Sequence, residues 1–219
     1  MTDVAGKIAA LKSALEQAAK PFGHPAPKIV AVSKGHGEAA IRKALAAGQR
    51  AFGENRVQEA AAKWPKLRAE YPDVELHLIG PLQTNKVKDA LRLFDVIETV
   101  DRDKLVSALA AELPRAKKPM RFLIQVNTGE EPQKGGVHPS ALPKLVASTE
   151  THGLLIEGLM CIPPVAEDPA PHFALLRKLA ERHGLKRLSM GMSGDYATAA
   201  MLGATEVRIG TALFGPRPA

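Results

Sequence analysis

Short apolar runs bounded by Gly, Asn or Pro recur along the chain at 29–33, 51–53, 76–80, 96–100, 122–127, 156–162, 188–190 and 207–210. Several, such as Ile29-Val30-Ala31-Val32, are continuously apolar instead of alternating, which is how strands covered on both faces of a parallel sheet read. Helical periodicity fills the gaps. The spacing predicts helices over 38–47, stopped by Gly48; 102–113, stopped by Pro114; 140–151, with Ser140 as N-cap and Gly153 beyond; 173–182, ending at Gly184; and 196–202, ending at Gly203. A further helix opens the chain. Val4, Ile8, Leu11 and Leu15 share one face behind Asp3 as N-cap, and Pro21, Gly23, Pro25 and Pro27 end it.

Eight strands alternating with helices predict an α/β protein with parallel strands and helical crossovers. Eight such units in about 200 residues fit a single (β/α)8 TIM barrel, here with an extra N-terminal helix. No linker or composition shift divides the chain, so one domain is expected over 1–219.

Barrels of this kind place function at the C-terminal ends of their strands and phosphate at the loops after strands seven and eight. Lys34 ends the first apolar run. An amine held in a barrel mouth is partly desolvated, which favours the neutral, nucleophilic form that condenses with an aldehyde. The plainer alternative is a lysine that snorkels to solvent. After the seventh run, Ser193 and Gly194 offer backbone N–H groups ahead of a helix. After the eighth, Arg208, Gly210 and Thr211 offer a cation, a close backbone approach and a hydroxyl. Together they read as a phosphate site. His77 alternates with core residues and reads as a hydrogen-bonded interior residue, with no metal site expected. Residues 35–40, Gly-His-Gly-Glu-Ala-Ala, match the dinucleotide pattern G-x-G-x-x-A, with Glu54 as a conceivable ribose acceptor. The strand–helix repetition to the end of the chain, without a distinct second half, argues against that reading.

Charge narrows the partners. Thirty Lys and Arg against 23 Asp and Glu give a net +7, suited to an anionic partner. The basic stretch Lys86, Lys88, Arg92 lacks interleaved aromatics, so a phosphorylated small molecule is expected and nucleic acid is not. Cys161 is the sole cysteine, which excludes an intrachain disulfide and a CxxC metal site. No apolar run reaches the ~18 residues of a membrane span. Asp3, Lys7 and Lys12 leave no signal-peptide core, and a cytoplasmic location is expected.

The strings AVSK (31–34), FGEN (52–55), HLIGPLQTNK (77–86), QVNTGEEPQKGG (125–136), GLMCIPP (158–164) and LSMGMSGDYATAAMLGATEVRIGTALFG (188–215) resemble the pyridoxal phosphate homeostasis family, in order and over nearly the whole chain. The resemblance implies a barrel like the N-terminal domain of alanine racemase (fold type III of the pyridoxal phosphate proteins). It also implies pyridoxal 5′-phosphate (PLP) held as an aldimine by Lys34. On the same resemblance Ser193, Arg208, Gly210 and Thr211, with Met192 beside them, look like the phosphate end of the cofactor site. Asn55 and His77 look placed to line its ring. Lys134, in the polar and glycine-rich segment 130–136 expected to be mobile, matches a lysine suggested for cofactor exchange. One departure stands out. Many members read Ser-Lys-Thr-Lys-Pro where this chain has Ser33-Lys34-Gly35-His36-Gly37, so His36 replaces the second lysine.

The implied function is a PLP-binding protein that buffers and carries the cofactor, maintaining vitamin B6 and indirectly amino-acid balance without clear turnover. PLP-dependent apo-enzymes would be its receivers. The alternative is an amino-acid racemase-like enzyme. Racemases of this barrel type take a tyrosine base from a second domain of the partner subunit, and here Tyr71 and Tyr196 lie away from the strand ends. Without that domain's dimer interface a monomer is expected.

Overall fold

Every apolar run forms a strand, and the eight strands pair in chain order into a closed parallel barrel. They are β1 (Lys28–Val32), β2 (Ala51–Glu54), β3 (Glu75–Leu78), β4 (Val96–Val100), β5 (Arg121–Val126), β6 (Ile156–Cys161), β7 (Arg187–Ser189) and β8 (Glu206–Ile209), with β8 closing on β1 through Lys28↔Glu206 to Ala31↔Ile209. The structure is a computed structural model describing residues 3–216. Residues 1–2 and 217–219, the ends of the domain expected over 1–219, lie outside the described residues.

The helices form the outer layer. α1 (Val4–Ala19) is capped by Asp3, whose Oδ1 accepts from Gly6 N at 2.9 Å. It buries Val4, Ile8, Leu11 and Leu15 on the face that the spacing predicts. α2 (Glu38–Ala46) follows β1, and α3 (Val57–Glu70) joins β2 to β3. The periodicity assigned no helix there, because Pro65 interrupts the pattern; the helix runs through it and anchors on Trp64, fully buried against Phe52 at 5.0 Å between ring centroids. α4 (Val87–Leu93) and α5 (Asp103–Glu112) follow β3 and β4.

Two predicted helices start elsewhere. The 140–151 helix splits into a 3-10 turn at Pro139–Ala141, where His138 Nδ1 accepts from Ser140 N, and α6 (Leu142–Thr151), so Ser140 is no cap. The 173–182 helix begins earlier, as α7 (Pro169–Arg182) capped by Asp168, because Pro169 and Pro171 fall in the first turn, where a helix tolerates proline. α8 (Tyr196–Met201) and the short α9 (Thr211–Phe214) complete the ring and pack against α1. Among the described residues no helix is long and apolar enough to cross a membrane.

The main apolar core lies between strands and helices. The barrel's interior is different. Val96, Leu123 and Met160 form a small apolar cluster there, and buried polar side chains share the interior with them. Five strands begin one residue before their apolar run, at Lys28, Glu75, Arg121, Arg187 and Glu206. These charges pair across the base of the barrel: Lys28 Nζ lies 2.5 Å from Glu75, Arg121 also binds Glu75, and Arg187 bridges Glu206 and Glu157. From this ring a buried chain climbs the interior. His77 Nε2 and Nδ1 lie 2.6 Å from Glu75 and Glu98, Ser189 Oγ donates to Glu98 at 2.5 Å, and Arg208 donates to Ser189 Oγ at 2.8 Å.

This chain makes stability pH-dependent. Burial alone would push the His77 imidazolium towards losing its proton, but the two flanking carboxylates outweigh it and raise its pKa to about 9. The same pairing holds the buried Glu98 carboxyl below its usual range, against the opposing effect of burial. A histidine whose folded pKa exceeds its unfolded value of about 6.5 stabilises fully below that pH, and the contribution is lost as pH rises through about 9. The thermal midpoint is therefore expected to fall between about pH 7 and pH 10. Scans of the chain and of His77→Gln check this, since the variant should show a flatter profile; equal slopes would assign the fall to other groups.

Candidate active site

The C-terminal rim holds a cavity of about 280 Å³, lined by Val32, Lys34, Asn55, Ile79, Ile162, Met192, Ser193, Gly194, Arg208, Gly210 and Thr211. The period-two alternation of a strand places them there. Along β1 the inward positions Val30 and Val32 lead to Lys34, and along β2 Gly53 leads to Asn55. Seven of the eight expected cofactor residues meet here, brought from four separate strand ends. Val32, Ile79 and Ile162 escaped the sequence reading, although the same alternation marks them as the last inward apolar positions of their strands.

His77 does not line the cavity. It lies lower in the interior, fully buried, with both ring nitrogens engaged by carboxylates. Its neighbours Glu75 and Glu206 bring ligand atoms within 4.8 Å of one another, a spacing open to a metal ion, but Lys28, Arg121 and Arg187 already pair with both carboxylates.

Arg208 lines the cavity from below. It sits one inward position beneath Gly210, only 3% exposed, with its guanidinium donating to Ser189 Oγ and to the Cys161 carbonyl at 2.7 Å. The sequence reading placed it at the phosphate end; its guanidinium is engaged by Ser189 and the Cys161 carbonyl. Burial pushes the Cys161 thiol itself up to about 12, which keeps it protonated and inert at neutral pH.

The loops after β7 and β8 form the other end. Gly191 turns the chain with φ of 94°, where a Cβ would also fall 2.5 Å from the Ala199 methyl. Met192 N donates to Asp195 Oδ1 at 2.5 Å, and Ser193 Oγ accepts from Ala212 N at 3.2 Å, so the two loops are joined at the cavity edge. Across the mouth, Gly80 lets β2 and β3 close together, since a Cβ there would lie 2.3 Å from the Asn55 carbonyl oxygen.

Lys34 and Arg208 are the formal charges in the lining, and no carboxylate shares it. A cavity with an amine, a guanidinium, hydroxyls and backbone at the loop end suits an anionic ligand bearing an electrophilic carbon. At about 280 Å³ it falls just below the ~300–1,000 Å³ usual for a cofactor pocket.

Lys134 stands outside the lining. Its amine lies 2.5 Å from Glu131 Oε2 and donates to the Pro163 carbonyl at 3.3 Å, next to Ile162 of the cavity. The 130–136 segment, expected to be mobile from its composition, is tied down: Asn127 bonds Glu131 O and N, Gln125 Nε2 bonds Gly135 O, and Val137 pairs with Val126. His36 packs its ring 5.1 Å from that of Phe214. Gly37 merely caps α2 at an ordinary φ of −77°, with open space where a Cβ would stand, whereas Gly35 turns the chain at a φ of 73°.

Comparison with known proteins gives these features a context. Residues 7–218 match the family described as alanine racemase, N-terminal domain. The chain is 42% identical to the pyridoxal phosphate homeostasis protein of Pseudomonas aeruginosa, over 99% of this chain and 97% of that one. It is 37% identical to the Escherichia coli protein of the same name, over 99% and 98%. Among solved structures, PipY of Synechococcus elongatus without PLP superposes with a TM-score of 0.85 at 38% identity, covering 97% of this chain and all of that one. The same protein with PLP bound gives 0.81 at 37%, with equal coverage. Alanine racemase of Streptomyces coelicolor shares the fold at a TM-score of 0.72 and 24% identity, this chain covering 59% of it.

Proposed function

From the premise that this chain belongs to the pyridoxal phosphate homeostasis family, built on the alanine racemase N-terminal domain, we propose that it holds PLP at the rim cavity and hands it on. Relatives of near-equal length are named pyridoxal phosphate homeostasis proteins, and the PipY structure with PLP bound supports the ligand assignment. The cofactor supplies an aldehyde that bonds reversibly to an amine. Lys34 offers that amine. Ser193, Gly210 and Thr211 hold the phosphate from the joined β7 and β8 loops, with Met192 beside them. Asn55 and the apolar side chains of Val32, Ile79 and Ile162 line the ring, and Arg208 supports it from the floor.

Holding without turnover fits the lining. Moving a substrate proton needs an acid–base group placed beside the cofactor. Apart from Lys34, the residues lining the cavity carry no carboxylate, imidazole or phenol. The likeness to racemases is one of fold. The test is a visible spectrum of the protein with PLP before and after borohydride reduction, the modified residue mapped, alongside turnover assays on a panel of amino acids. A reduced adduct on Lys34 with no turnover is expected. Trapping mainly on another lysine would overturn the site, and racemisation or decarboxylation at enzymic rates would overturn the carrier role.

Delivery to PLP-dependent apo-enzymes is the finer part of the reading, and Lys134 is its candidate residue. Its ion pair with Glu131 is partly exposed, and such pairs hold by only about 0–1 kcal/mol, so the amine is releasable towards the mouth. Lys134→Ala is expected to leave equilibrium PLP binding nearly unchanged while slowing transfer to an apo-enzyme. Transfer time courses against a free-PLP control decide it; identical courses would leave Lys134 as a structural partner of Glu131 and the Pro163 carbonyl.

A further inference from the structure

The turn carrying Lys34 is gripped from outside the barrel. Lys63, on α3, sets its ammonium among four oxygens: Glu54 Oε1 at 2.7 Å, Glu59 Oε1 at 2.9 Å, the Ser33 carbonyl at 3.1 Å and the His36 carbonyl at 3.3 Å. Glu59 Oε1 also accepts from Gly35 N at 2.7 Å. Glu54 Oε1 accepts from Ser33 Oγ at 2.7 Å and from Trp64 Nε1 at 3.1 Å. The residue before Lys34 and the two after it therefore all end in one cluster of three charged side chains.

Its members come from the end of β2 and one face of α3, where Glu59 and Lys63 stand four residues apart. The Glu54 side chain is fully buried and that of Lys63 is 11% exposed. A buried ion cluster is a poor device for stability alone, because apolar residues of similar volume commonly do as well or better. This one spends its bonds on the backbone and side chain around a single lysine. The lysine side chain carries about 2 kcal/mol of rotamer entropy, so the backbone beneath it is what a protein can fix in advance. Bond formation is steeply sensitive to placement, with about 1 Å worth up to a hundredfold in rate.

We propose that Lys63, with Glu59 and Glu54, is a positioning residue for Lys34, presetting the β1–α2 turn so that the amine meets an incoming aldehyde in a fixed direction. The proposal rests on Lys34 being the residue that bonds the cofactor. Lys63→Met, Lys63→Arg and Glu59→Ala, with PLP as the probe, test it through three readouts: the rate of adduct formation by stopped-flow absorbance, amide hydrogen exchange of Gly35 and His36 without PLP, and the thermal midpoint. Lys63→Met and Glu59→Ala should speed exchange at those two amides and slow adduct formation at least about tenfold. Lys63→Arg should recover most of the rate. Glu59 is partly exposed, so Glu59→Ala should keep its midpoint within a few degrees, and it decides alone if Lys63→Met fails to fold. Adduct formation at the unsubstituted rate in Glu59→Ala overturns the proposal. No adduct on Lys34 in the unsubstituted chain would overturn the cofactor reading and this role with it, a result separable because it needs no variant.

Discussion

Lys34→Ala is expected to abolish the proposed covalent adduct with PLP and to leave the barrel folded. The amine stands beyond the last hydrogen-bonded residue of β1, in the cavity and not in the core, so its loss removes little packing. What remains for PLP is the phosphate end, the apolar walls and Arg208. Affinity should fall by at least about a hundredfold, close to 3 kcal/mol, while the unfolding midpoint stays within a few degrees. Mass spectrometry after borohydride reduction reads the adduct, and equilibrium dialysis reads the residual binding. A persistent adduct in the variant would move the reactive amine to another lysine.

Arg208→Ala should be the more damaging substitution for the fold. Its guanidinium is buried, satisfies the Cys161 carbonyl and holds Ser189 Oγ, which in turn holds Glu98. Removing it leaves a carbonyl unpaired and a buried carboxylate short of a cation. Breaking such a buried arrangement costs about 3–5 kcal/mol, a fall of roughly 10 °C in a chain of this length. Because the side chain faces the floor, PLP and pyridoxal should lose affinity by the same factor. A loss confined to PLP would show that the guanidinium reaches the phosphate after all.

The barrel was legible in the sequence because buried parallel strands write themselves as uninterrupted apolar runs, and the rim followed from knowing where strands end. What hid was charge inside the fold. Lys28, Glu75, Arg121, Arg187 and Glu206 open five strands, yet an apolar criterion cuts each strand one residue short of them. Glu54 reads as a strand-end acid, and nothing in its local pattern announces that Lys63, nine residues on, will reach it. Pro65 concealed α3 because a local breaker outweighs periodicity on paper, whereas the buried Trp64 outweighs it in the fold. The ties across 130–136 were hidden for a related reason: glycine and polar residues signal freedom only where no neighbour bonds them, and Gln125 and Asn127 do.

The hydrogen-bonded chain from Glu75 through His77, Glu98 and Ser189 to Arg208 has a consequence for divergence. Each link supplies the charge or the lone pair that its neighbours need, so a lone replacement leaves a buried ion without its partner. Drift at these positions should proceed in compensated pairs, such as a carboxylate lost together with its cation, while the apolar outer layer exchanges residues one at a time. A survey of related barrels for joint substitution is expected to find the strongest covariation along the barrel axis, joining the base to the floor of the rim cavity.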